Sequence, residues 1–116
     1  MIYQREIVEV PYQFPDGSIK PHMALVVSSG NLQEDEDGMF YAVLISSKNY
    51  NPQYTIEIKG DWLMKPLSKQ SFFVTHILTF FTEDQVIQRF NNFIRQPYYD
   101  KVVNKVINSV FDIEIE

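Results

Sequence analysis

A chain of 116 residues, 45% hydrophobic and 15% aromatic, is long enough to bury one core and too apolar to stay disordered. It has no cysteine, which excludes disulfides and thiolate metal sites and suits a reducing compartment, so a cytoplasmic location is expected. No run approaches the roughly 18 to 20 apolar residues of a membrane helix, and residues 1–6 lack the apolar stretch of an export signal, so no membrane partner is expected.

The formal net charge of −5 speaks against a surface built throughout for nucleic acid. Its distribution is uneven: residues 1–40 hold two basic and seven acidic groups, residues 41–80 four and two, and residues 81–116 four and six. If a polyanion binds, electrostatics points to Lys48, Lys59, Lys65 and Lys69, joined by Lys20, which sits apart from the acids of its own segment.

In chain order, Val8, Val10, Tyr12 and Phe14 alternate at the period of a half-buried strand over residues 7–14, with Pro11 implying an edge or a bulge. Pro15, Asp16, Gly17 and Ser18 form a turn into a second strand over residues 23–28, so a hairpin is predicted. Residues 30–38 contain Glu34, Asp35, Glu36 and Asp37, whose mutual repulsion predicts a solvated loop. Apolar or alternating runs over 39–45, 54–59 and 71–78 predict three more strands, and five short strands with short connections suggest a small barrel over about residues 5–80.

The period then changes. Thr82 and Gln85 have capping-box spacing, and Val86, Ile87, Phe90, Phe93 and Ile94 share one helical face, which predicts a helix over about 82–95. Val102, Val103, Val106, Ile107, Val110 and Phe111 recur in pairs every four residues and predict a second helix over 98–111. Residues 112–116 alternate again and are compatible with fraying or a short strand. The expected organisation is a single domain spanning residues 1–116, β-dominated α+β.

Only two histidines are present, His22 and His76, with no metal-ligand spacing around either, so no metal or other cofactor is expected. The acidic run lacks the spaced oxygen ligands of a calcium loop, and the four glycines at 17, 30, 38 and 60 build no phosphate-cradling fingerprint. No serine stands in a nucleophile-elbow context. His76, inside an apolar strand, reads as a hydrogen-bonded structural histidine. His22 follows Lys20 by two residues, and period two puts both on one strand face. A titrating imidazole beside a fixed cation can act on phosphodiesters, and an exposed histidine at a strand end is the plainer alternative.

These segments together resemble the PemK/MazF family of toxin–antitoxin toxins over nearly the whole chain. The run Arg5-Glu6-Ile7-Val8-Glu9-Val10-Pro11-Tyr12 with Asp16-Gly17 resembles that family's first strand and loop, and Ala24-Leu25-Val26-Val27-Ser28-Ser29 is similar to its second strand. Ile45-Ser46-Ser47 resembles the end of its third strand, and Leu67-Ser68-Lys69-Gln70-Ser71-Phe72-Phe73-Val74 the approach to its last core strand. The resemblance implies an SH3-like β-barrel with two C-terminal helices, acting as a homodimeric, metal-free endoribonuclease on single-stranded RNA and silenced by an antitoxin protein.

Carried over by position, the family's active-site Thr or Ser falls on Ser46, with Ser47 beside it, and its arginine falls on His22. A guanidinium offers a permanent charge and a planar fork, which an imidazole does not. The resemblance therefore implies His22 as acid/base, Ser46 and Ser47 as phosphate-oriented hydroxyls, and Lys20 and Lys48 as RNA-binding cations. The alternative is a binding module on the same scaffold without the nuclease chemistry. A weaker third reading is a toxin acting on a protein target such as gyrase, as a related barrel family does.

Overall fold

In the computed structural model, which describes residues 1–113, strand β1 (Glu6–Gln13) opens the fold. Ile7, Val8 and Val10 are all buried, because both faces of the sheet are covered there. The predicted turn follows, with Gly17 at φ +88°, a conformation that favours glycine. Asp16 accepts from the Ser18 hydroxyl at 2.6 Å and from its backbone N–H at 2.9 Å, and these bonds lower the Asp16 pKa.

Strand β2 (Ile19–Val26) returns antiparallel, in a register that sets Tyr12 opposite Lys20 and Val10 opposite His22. It starts earlier than predicted, so His22 lies inside the strand instead of at its end. Pro11 falls beyond Glu9, the last β1 residue to pair on the other side, and so occupies the edge expected of it.

The loop expectation for residues 30–38 is corrected in part: Glu34 and Asp35 end a short helix, and Glu36 and Asp37 lie in the turn that follows. Gly30–Asp35 form a short helix, α1, whose first turn is capped by the Ser29 hydroxyl accepting from Leu32 N–H at 3.3 Å. The four acids point to solvent, which screens their repulsion, while buried Gln33 ties the helix to the backbone of Ile2 through both ends of its amide. Strand β3 (Met39–Ser46) then crosses the sheet, a single 3₁₀ turn (Pro52–Tyr54) leads into the short β4 (Thr55–Glu57), and β5 (Phe72–Thr82) is the longest strand.

The helix predicted over 82–95 does not form. The Thr82–Gln85 capping box is present, but it closes one 3₁₀ turn (Glu83–Gln85), after which the chain extends into β6 (Gln88–Phe93). The reason is the free side of β1, whose backbone groups need partners: β6 pairs with Glu6–Glu9, and Arg89 grips the buried Glu6 carboxylate through two bonds of 2.6 and 2.9 Å. The second predicted helix does form, as α2 (Gln96–Val110), with Pro97 accommodated in its first turn. Asp112 and Ile113 have no regular structure, and the remainder of that tail, residues 114–116, lies outside the described residues.

The strands run in the order β4-β5-β3-β2-β1-β6, every neighbour antiparallel. Among the described residues the sheet thus has six strands where five were predicted, and it is open, with β4 and β6 as its two edges, where a closed barrel was expected. One apolar cluster, including Ile7, Leu25, Val43 and Phe73, is covered by Tyr99, Val102 and Val106 of α2 and by Trp62 and Leu63 of the connector. A second, on Val8, Val10, Ala24 and Phe40, is closed by Ile2 and Phe81. Among the described residues no helix is long and apolar enough to cross a membrane.

Candidate functional site

The outer ends of β1 and β2, the end of β3, the loop after it, the middle of β5 and residues 67–71 surround one cavity of about 740 Å³. His22, Ser46, Ser47, Lys20 and Lys48, the five residues nominated from the sequence, all line it. So does His76, so both imidazoles of the chain share one cavity. Among the described residues its charged lining is Lys20, Lys48 and Lys69 against Glu9 alone, a net positive pocket in a chain of net charge −5.

Strand alternation puts Lys20 and His22 on one face, and the cross-strand register brings Tyr12 beside them. The His22 ring packs against Tyr12 and Phe14, with centroids 6.1 and 6.2 Å away, and the Lys20 ammonium stands 5.8 Å over the Phe14 ring. His22 Nδ1 lies 3.3 Å from the backbone oxygen of Met23. A carbonyl only accepts, so Nδ1 is the donor in that contact, and in the neutral ring the lone pair is then on Nε2.

Ser46 ends β3, half-buried, and its Oγ accepts from the backbone N–H of Lys48 at 3.1 Å, a turn that leaves the hydroxyl proton free to donate. Ser47 and Lys48 are exposed in the loop that follows, and the Lys48 ammonium stands 5.8 Å over the ring of Tyr50, itself 75% exposed. Hydroxyls, ammonium groups and open aromatic faces around one hollow can hold phosphate oxygens and stack bases together.

The wider basic patch read from the sequence divides. Lys69 joins the cavity, Lys59 lines a smaller neighbouring hollow, and Lys65 lines neither, its backbone tied to the Asn92 amide by bonds of 2.8 and 2.7 Å. Tyr12, Phe14 and Tyr50 were not singled out from the sequence. The signal for the first two was the register that sets Tyr12 opposite Lys20, which alternation alone does not reveal. His76 departs from expectation: its ring packs tilted against Tyr54, centroids 4.7 Å apart, but its buried Nδ1 has no hydrogen-bond partner among the described residues.

Solved structures that share this fold are MazF toxins, the family the sequence resembles. Over 92% of this chain and 94% of the other, it superposes on MazF from Deinococcus radiodurans with a TM-score of 0.73 at 10% identity. The Mycobacterium tuberculosis toxin MazF-mt6 matches over 96% of this chain and 100% of its own, with a TM-score of 0.68 at 9% identity. An endoribonuclease in complex with its cognate antitoxin from a Mycobacterial species matches over 100% of both chains, with a TM-score of 0.70 at 9% identity. Sequence comparison finds no matching family model and no matching curated protein.

Proposed function

We propose that this chain is a MazF-like toxin, a metal-independent endoribonuclease that cuts single-stranded RNA in the cytoplasm. One observation carries the reading: on a MazF fold, a single net-positive cavity gathers His22, Ser46, Ser47, Lys20 and Lys48. In this reading the RNA 2′-oxygen bonds to the adjacent phosphorus as the P–O5′ bond breaks. His22 Nε2 takes the 2′-hydroxyl proton and returns it to the 5′-oxygen, so the products are a 2′,3′-cyclic phosphate and a 5′-hydroxyl. Ser46 and Ser47 donate to phosphoryl oxygens, Lys20 and Lys48 supply fixed charge to the phosphates, and Tyr12, Phe14 and Tyr50 stack the flanking bases. A homodimer restrained by an antitoxin protein belongs to the same reading, and it is supported by solved neighbours that are complexes of MazE with MazF.

The test is single-stranded RNA incubated with purified protein and excess chelator. Wild type is expected to cut, and His22→Ala and Ser46→Ala to cut about a hundredfold more slowly. RNA left whole by wild type would sink the nuclease and favour the second reading, a binding module without the chemistry, for which the imidazole at the arginine position speaks. Cutting that survives both substitutions would move the site elsewhere.

A further inference from the structure

The ladder between β3 and β5 steps from Val43 opposite Leu78 directly to Leu44 opposite Val74, so residues 75–77 of β5 bulge out with no β3 partner. Bulges re-aim side chains and recur beside active sites. This one is pinned from both ends of Thr75's reach: the buried Thr75 hydroxyl bonds the backbone oxygen of Tyr54 at 2.5 Å and the Ser109 hydroxyl of α2 at 2.9 Å. His76, the central residue of the bulge, lies in the lining of the cavity and packs against the Tyr54 ring, the two rings tilted by 37°.

From this arrangement we infer that His76 is the second imidazole of the cleavage site, a hydrogen-bond donor to a non-bridging phosphoryl oxygen of the scissile phosphate. The inference rests on the RNA-cleaving reading above. Its chemistry follows from the shielded Nδ1, which finds no acceptor among the described residues. A buried N–H without an acceptor is the rarer and costlier orphan, so the ring carries its proton on Nε2 and Nδ1 keeps an unused lone pair. The contact of His22 Nδ1 with the Met23 carbonyl selects the opposite tautomer for the neutral ring, proton on Nδ1 and lone pair on Nε2. One cavity therefore offers an acceptor for the attacking hydroxyl's proton and a preorganised donor for the charge that develops on phosphorus-bound oxygen. His76 itself neither gains nor loses a proton in the step. An orphaned ring nitrogen and a broken ladder are local costs to folding, and costs of this kind gather at functional sites.

The decisive variant is His76→Phe, which keeps a flat ring for Tyr54 and removes the donor. Using the full chain, chelator and an RNA oligonucleotide with an Rp or Sp phosphorothioate at the mapped cut, H76F is expected to cleave the unmodified RNA about a hundredfold more slowly. Its affinity for the same oligonucleotide with a 2′-deoxy sugar at the cut should stay within about twofold of wild type. Wild type should discriminate between the two thio-diastereomers, and H76F should lose that preference. His76→Asn, which restores a donor, should recover part of the rate, and H76F should melt no lower than wild type because it removes an unsatisfied nitrogen. Wild-type cutting matched by H76F overturns this inference and leaves the nuclease standing. A slowed H76F that melts lower and keeps the stereochemical preference also overturns it, by making His76 structural. RNA uncut by wild type removes both readings.

Discussion

Tyr99 shows how one side chain reports on the packing behind the site. Its hydroxyl donates to the backbone oxygen of Val27 at 2.7 Å, and burial, reinforced by Asp100, raises its pKa above the usual phenol value. The fold thus favours the neutral phenol, so its contribution is complete below about pH 10 and is lost as pH rises through the higher folded value. Tyr99→Phe is expected to cost about 1 kcal/mol at pH 7, with the gap in melting temperature closing as pH rises above about 10. A gap that stays constant over that range would mean the phenol titrates freely. The histidines differ in legibility at the same scale. His22 was readable because its neighbour in function, Lys20, is two residues away on the same strand face. His76 was not, because its setting comes from Tyr54, Thr75 and a bulge defined against β3, and none of these is visible in the apolar run around it.

At the scale of elements, β6 is where local pattern and tertiary need disagree. Val86, Ile87, Phe90, Phe93 and Ile94 fit a helical face, but Phe90, Asn92 and Ile94 also alternate, and that is the pattern realised: Asn92 and Ile94 are buried and Phe90 packs on the core. A buried polar residue hid the period. Asn92 is tolerated there because its amide closes two bonds with the backbone of Lys65, so the connector that carries Trp62 and Leu63 over the core is fastened to β6. Asn92→Leu, which fills similar space, leaves that backbone N–H and C=O without partners and is expected to cost about 2 kcal/mol in chemical denaturation. An unchanged midpoint would show that the connector holds without it. By contrast α2 was legible, since its valine pairs keep a strict four-residue recurrence and the face they define is the one that meets the sheet at Val102 and Val106.

For the whole molecule the consequential quantity is charge placement. A chain of net charge −5 repels a polyanion at long range, while Lys20, Lys48 and Lys69 gather at one cavity and the acids of α1 stay exposed in solvent. Binding to a 2′-deoxy-substituted RNA should therefore weaken with salt at a log–log slope of about −2, as expected for three neutralised phosphates, and each Lys→Gln at these positions should lower the slope by about 0.7. Equal slopes in wild type and all three variants would place the polyanion elsewhere. The sequence by itself determined the hairpin, the core strands, α2 and the pairing of Lys20 with His22, because period and turn chemistry are properties of neighbouring residues. Only the tertiary structure decided that residues 88–93 extend along β1, that residues 30–35 coil into α1, that the sheet stays open and that His76 turns into the cavity. Each of those outcomes depends on which backbone edge lacks a partner and on the register between strands far apart in the chain, and such needs leave no local pattern to read.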